Sequence, residues 1–178
     1  MSNSKDSVSS IVRTGKIEDS DSILDIQKSV VSEGEFLIPL APEFNNTYSQ
    51  QREWVQSILE NEKETLIVAE KEGEIIGWIV FQMTKNRMRL SHTGTFGMMI
   101  SKRYRGLGIG SMLLKALLDW AENHPSIEKV SLGVFSSNHG ALSLYKKMGF
   151  LEEGRKVKEF KMGENEYVDD ILMYKWVQ

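Results

Sequence analysis

Apolar residues change their spacing several times along the chain, and each change marks an element. "IVRTG" at 11–15 predicts a short strand. From Asp19 to Val31 the residues Ile23, Leu24, Ile26, Val30 and Val31 recur near helical spacing, with Asp19 or Ser20 placed to cap the helix. "SEGEFLIPLAPEFNNT" (32–47) holds two of the three prolines and predicts a long loop. Ser49 to Asn61 predicts a second helix, with Trp54, Val55, Ile58 and Leu59 on one face. "TLIVAEKEGEIIGWIVFQM" (65–83) has β-rich runs either side of Glu72-Gly73 and predicts a hairpin. "SHTGTFGMMIS" (91–101) is a third strand of this block, and Gly94 and Gly97 inside it imply a bulge or a close backbone neighbour.

The second half returns to helical spacing. From Gly108 to Asn123, Ile109, Met112, Leu113, Ala116, Leu117, Trp120 and Ala121 form one wide stripe, broken after Asn123 by Pro125. "KVSLGVF" (129–135) alternates as a buried strand. Asn138 to Met148 predicts a short helix ended by Gly149. Two strands, about Glu153 to Met162 and Tyr167 to Val177, close the chain across a "GENE" turn. The order β-α-α-β-β-β-α-β-α-β-β, with no repeat and no shift of composition, predicts one α/β domain on a mixed sheet. The serine-rich "MSNSKDSVSS" predicts a disordered leader over 1–9 and a domain over 10–178.

Composition narrows the chemistry. The 178 residues are 26% charged and 40% hydrophobic, an ordinary globular balance. With no cysteine, disulfides, thiolate metal sites and a cysteine nucleophile are excluded. His92, His124 and His139 are scattered, so no metal is expected. A net charge of −3 argues against general binding to nucleic acid or anionic membranes. The basic runs "KNRMR" (85–89) and "GRKVK" (154–158) read as solvated hairpin faces. No stretch approaches the roughly 18 apolar residues of a membrane span, and the expected location is the cytoplasm.

One stretch stands apart: "KRYRGLGIGSMLL" (102–114), three alternate glycines behind basic residues and ahead of a helix. A dinucleotide fingerprint would need a carboxylate at the end of the next strand, where "LGVFSSN" has none. A triphosphate loop would need a Gly-Lys-Ser/Thr that is missing. An anion site survives both rejections. First-turn N–H groups have no intrahelical partners and glycines let a phosphate reach the backbone, with Lys102, Arg103 and Arg105 adding charge. The alternative is a glycine-rich turn that serves packing alone.

Two motifs then carry a resemblance. "RGLGIG" (105–110) resembles the Arg/Gln-x-x-Gly-x-Gly/Ala signature of the GNAT N-acetyltransferase superfamily. "NHGALSLYKKMGF" (138–150) is similar to that family's Asn-x-x-Ala-x-x-x-Tyr-x-x-x-Gly-Phe. The resemblance covers about residues 10 to 177. It implies a mostly antiparallel, twisted sheet flanked by helices, and acetyl transfer from acetyl-CoA to a primary amine. The backbone around Arg105, Gly106, Gly108, Ile109, Gly110 and Ser111 would cradle the pyrophosphate. The backbone of Met99 and Ile100, freed by a splay at a bulge near Gly97, would pair with the pantetheine arm. Asn138 resembles the family's cofactor-contacting asparagine and equally suits a helix cap.

Tyr145 resembles the tyrosine that protonates the departing CoA thiolate, the alternative being a core aromatic. His92, at the start of the strand leading to the loop, is a candidate base for the amine where several family members carry a carboxylate, or a plain strand-end residue. Glu33 and Glu35 in the long loop and Asp169 in "YVDD" are candidates to attract a cationic acceptor. A non-catalytic acyl-CoA-binding module on the same fold is the alternative to an enzyme. Which amine is acetylated, and whether the protein forms a homodimer, are left open by the sequence.

Overall fold

The computed structural model describes residues 9–84 and 87–178. The leader expected over 1–9, apart from Ser9, and Lys85 and Asn86 of the first basic run lie outside the described residues. The elements are β1 (Ile11–Thr14), α1 (Ser20–Glu33), α2 (Tyr48–Leu59), β2 (Thr65–Lys71), β3 (Glu74–Met83), β4 (Thr93–Ile100), α3 (Ile109–Asn123), β5 (Lys129–Phe135), α4 (His139–Lys147), β6 (Leu151–Gly163) and β7 (Glu166–Trp176). They follow the expected order. β6 starts two residues before the expected Glu153 because Leu151 already pairs with Tyr174.

Local chemistry explains the ends. Thr47 accepts from the Gln50 amide while Gln50 Oε1 accepts from the Thr47 amide, a reciprocal cap that starts α2 at Tyr48. Gly34, left-handed at φ 67°, ends α1 and lets the chain turn into the long loop.

The strands form one sheet in the order β1-β2-β3-β4-β5-β7-β6, antiparallel throughout except for β4 beside β5. One face packs on α3 and α4. Leu113, Leu114 and Leu117 of α3 are fully buried against Ile79, Phe81, Phe96, Val130, Leu132, Val134, Ile171 and Met173. Each such leucine contributes roughly 1.5–3 kcal/mol by leaving water. On the other face Ile23 and Ile26 of α1 and Val55 and Ile58 of α2 meet Leu66, Val68, Trp78 and Val80. That second cluster includes no residue of β5, β6 or β7. Half of this face is therefore left without a helix.

The parallel pair is short. Thr93, Gly94 and Thr95 of β4 meet Lys129, Val130 and Ser131 of β5, and the strands then part. β4 nevertheless keeps its register with β3 as far as Gly77↔Ile100, and β5 keeps its register with β7 as far as Phe135↔Asp170. Each parting strand is thus held by its outer neighbour. The β3–β4 ladder has no register shift, so the bulge expected near Gly97 is absent from it and the opening is a divergence of two intact ladders.

The two glycines of β4 differ accordingly. A Cβ on Gly94 would stand 2.4 Å from both Gln82 O and the ring of Phe81, so the close neighbour expected from the sequence is at Gly94. A Cβ on Gly97 would meet nothing within 4 Å. Gly94→Ala should therefore lower stability by about 1–3 kcal/mol through overpacking, whereas Gly97→Ala leaves the denaturation midpoint nearly unchanged. Urea unfolding of the two variants side by side checks this, and equal losses would contradict it.

Candidate active site

The parting of β4 from β5 opens a cavity of about 890 Å³, within the range of small-molecule sites. One wall is β4. Ser101 N donates to Ile76 O at 2.9 Å, which fixes the phase of the β3–β4 ladder. By antiparallel alternation Met99 and Gly97 direct their backbone groups at β3, and Met98 and Ile100 direct theirs away from it, toward the opening. The freed edge is thus offered by Met98 and Ile100. Met99, expected to share that role, has its N–H and C=O on the β3 side, although the residue still lines the cavity.

The far end of the cavity is the glycine stretch. Gly106 (φ 73°) and Gly108 (φ 86°) are left-handed with open space where a Cβ would be. Gly108 is the N-cap of α3 and supplies no side-chain cap, so the first-turn amides of Ile109, Gly110 and Ser111 have no intrahelical acceptor. Together with the helix dipole they form a site for an anion. Gly110 serves packing, since a Cβ there would come within 3.2 Å of Leu144.

The charges behind this loop are already engaged. Arg105 donates to both carboxylate oxygens of Glu33, at 2.7 and 2.9 Å, and through Nε to Ile100 O at 3.0 Å. It ties the end of α1 to the loop and to the end of β4. Arg103 is bonded to Glu74 and stacks on Tyr104. Neither Lys102 nor Arg103 lines the cavity, which leaves Arg105 as the cation of this stretch on its wall.

Asn138 caps α4, its Oδ1 accepting from Ala141 N at 3.2 Å, and it also lines the cavity, so both roles open to it coexist geometrically. Tyr145 on α4 is 9% exposed. Its ring packs edge-on against Phe96 at 5.6 Å and lies tilted to Phe150 at 6.0 Å. It lines the cavity too, and burial pushes its hydroxyl up to about 12, so it carries its proton at any physiological pH.

Of the three acids expected near an acceptor, Glu33 and Glu35 line the cavity, with Glu33 committed to Arg105. Asp169 does not. It accepts from Lys158 N at 2.7 Å and from Arg155 at 3.0 Å, bonds that hold its carboxyl below the usual carboxylate range. His92 also lies off the lining. It sits at the closed end of the β4–β5 pair with its ring 6.2 Å from Trp176 and its carbonyl taken by Glu128 N and Lys129 N. Among the described residues no group of His, Asp and Glu could hold a metal ion, and no helix is long and apolar enough to cross a membrane.

Sequence reasoning missed Met98, Gly133, Asp170, Phe135 and Phe160, and the stretch Phe36–Pro39 of the long loop, all on the cavity wall. Strand alternation could have signalled Met98. Phe160 had no local signal, since it reaches the wall from the far edge of the sheet and stacks on Phe135 at 4.3 Å.

Comparison with known proteins agrees with this geometry. The sequence profile of the Acetyltransferase (GNAT) family matches residues 35–150. The L-amino acid N-acetyltransferase AaaT of Escherichia coli (strain K12) is 28% identical over 120 residues, 67% of this chain and 73% of that protein. Across the curated relatives it matches, the chain spans about two thirds of their length. Among solved structures, an acetyltransferase of the GNAT family from Streptococcus pneumoniae superposes with a TM-score of 0.88 at 24% identity, covering 94% of this chain and 99% of that one. A putative acetyltransferase from Salmonella typhimurium, solved with its cofactor acetyl-CoA, gives 0.86 at 18% identity, covering 96% and 95%.

The burial of Tyr145 has a consequence for stability. An unfolded tyrosine ionises near 10.0, and the folded one near 12. Below pH 10 neither form ionises and the residue adds no pH dependence. Between about pH 10 and 12 the unfolded chain releases this proton first, so rising pH favours unfolding. Thermal scans across that window should show the wild type losing stability faster than Tyr145→Phe, and parallel curves would refute the assignment.

Proposed function

The chain belongs to the acetyltransferase (GNAT) family, and from that premise we propose that it transfers an acetyl group from acetyl-CoA to a primary amine, both bound at once, by direct attack of the amine. The observation that carries this is the joint lining of one cavity by a freed strand edge, an uncapped glycine-led helix start and a buried tyrosine. A linear cofactor with a diphosphate at one end and a thioester at the other fits that sequence of surfaces.

In this mechanism the amides of Ile109, Gly110 and Ser111 receive the pyrophosphate. Gly106 and Gly108 keep side chains out of its way. The N–H and C=O groups of Met98 and the N–H of Ile100 pair with the amides of the pantetheine arm, as a strand would. A strand amide of the same edge polarises the thioester carbonyl and stabilises the negative charge that develops on it. The acceptor approaches from the helix-free face beside β5 and β7. The bound ammonium first gives a proton to solvent through the open side of the cavity, and the neutral nitrogen then attacks, forming the C–N bond as the C–S bond breaks. The Tyr145 hydroxyl, protonated before the reaction, gives its proton to the departing sulfur. The amine's surplus proton leaves through the open side of the cavity, and Tyr145 is reprotonated from solvent. The place of His92 at the closed end of the strand pair gives it no part in these steps.

Three measurements test this. Acetyl-CoA titrated calorimetrically into the protein should bind one to one, and an amine panel should release free thiol. Tyr145→Phe, which keeps the packing on Phe96 and Phe150, should lower kcat by about 10²–10⁴-fold with acetyl-CoA affinity unchanged. A variant with full turnover would remove Tyr145 from the chemistry, and a protein that binds acetyl-CoA but acetylates nothing would be the non-catalytic module instead.

A further inference from the structure

Beside the Asp169 expected from the sequence, it is the neighbouring carboxylate, Asp170, that lines the cavity. On β7, Ile171 and Met173 point into the α3-side core, so Asp170 and Leu172 point to the other face, where no helix of the second cluster lies. Asp170 pairs with Phe135 across the β5–β7 ladder and lines the cavity. Its carboxylate reaches diagonally over Gly133, where a Cβ would stand 2.8 Å from Asp170 Oδ1. Gly133 has its own counterpart. Counting on from the last paired residues, Thr95 and Ser131, brings Gly97 level with Gly133 on opposite sides of the opening. Both glycines leave their face of the sheet bare, and Asp170 stands at the edge of that bare patch.

Three further observations define what could sit there. The Asp170 side chain is 14% exposed, and no hydrogen bond among the described residues reaches it. Among the described residues its one ionic neighbour is Lys156 Nζ, at 3.8 Å, which is itself half exposed and shared with Glu159 at 3.6 Å. A loose surface pair of that kind is worth under about 1 kcal/mol and gives way to a better donor. Around the carboxylate the wall is apolar: Phe135 and Phe160 stack face to face at 4.3 Å, and Phe36 and Ile38 of the long loop line the same cavity.

We propose that Asp170 is the acceptor-binding residue of this site, receiving the ammonium of a primary amine whose body is apolar or aromatic and rests on Phe135 and Phe160. This inference rests on the acetyl-transfer function proposed above and names the class of its acceptor. Asp169 and Asp170 thereby divide their work. Asp169 fixes the bend of β6 through Lys158 N and Arg155, and Asp170 is left with its acceptor lone pairs free.

The test uses 2-phenylethylamine and its uncharged isostere 2-phenylethanol as probes. Each is titrated by NMR into the wild type, Asp170→Asn and Gly133→Ala, with and without CoA. The wild type should bind the amine about tenfold to a hundredfold more tightly than the alcohol, the range of a hydrogen bond to a charged group. Asp170→Asn should remove that preference while leaving the alcohol's affinity unchanged. Gly133→Ala, whose methyl displaces Oδ1 without altering any charge, should reduce the preference as well and decides the matter if the asparagine variant folds poorly. A wild type that binds neither probe, or a preference that survives in the variants, overturns the proposal. Acetyl-CoA titrated into the same samples keeps the two inferences apart. Acetyl-CoA binding without an amine preference sinks the role of Asp170 alone, and no acetyl-CoA binding sinks the acetyl-transfer function while the amine-to-alcohol ratio still judges Asp170.

Discussion

Everything that makes this molecule a binding protein depends on two adjacent parallel strands that stop pairing after three residues. β4 and β5 meet from Thr93 to Thr95 and then part, and the groups released by that parting are backbone N–H and C=O in the middle of the sheet. Such groups are costly to leave unpaired in a dry core. The opening is therefore wet or filled, and a ligand that hydrogen-bonds as a strand does is the natural occupant.

Keeping the gap open requires that neither strand collapse onto the other. β4 is fixed on its far side by an unbroken ladder to β3, and β5 by a ladder to β7. The floor is fixed by side chains too large to close over: Phe96, Tyr145 and Phe150 pack edge-on or tilted in one aromatic cluster under the split. The Tyr145 ring is thus structural, which leaves its hydroxyl for the proton donation proposed above. Arg105 adds a brace at the other end, holding Glu33 of α1 and the last carbonyl of β4 at once. Since Glu33 precedes the loop that carries Phe36 and Ile38, this brace joins the glycine-loop end of the cavity to the wall proposed to hold the acceptor.

The elements themselves were legible because their signals are local. The α3 stripe, the Glu72-Gly73 hairpin and the glycine run each lie within a dozen or so residues, and all fall where expected. The motif pair pointed to the family for the same reason, as both motifs sit on contiguous strand-to-helix junctions. What the sequence withheld was relational. Glu33 and Arg105 are 72 positions apart, so a charge expected to face a phosphate gave no sign of being claimed by a carboxylate. Gly94 and Gly97 look alike in sequence, yet one is jammed against Phe81 and the other faces open space. His92 stands in the turn just before β4, at the end where the parallel pair is closed. Each outcome was set by a neighbouring strand rather than by the residue's own surroundings in sequence.

The pair Asp169-Asp170 shows the limit most sharply, because the two are chemically identical and adjacent. Successive strand residues point to opposite faces, so a shift of one position exchanges a structural role for a place on the cavity wall. The deciding feature lies on β6, where Val157, Lys158 and Glu159 oppose Asp169 alone and Lys158 adopts a left-handed φ of 55°. That conformation costs a residue with a side chain roughly 1–2 kcal/mol, and the bond from Lys158 N to Asp169 offsets it. The bulge bends β6 while keeping its facing, since Phe160 still pairs with Val168 two residues before Asp170. Phe160 is thereby brought onto Phe135. A carboxylate spent on shaping the edge strand thus builds the aromatic wall beside the carboxylate that is not. Because a three-against-one bulge has no signature in the β7 sequence, the acid that faces the cavity could be told from its neighbour only once the ladder was known.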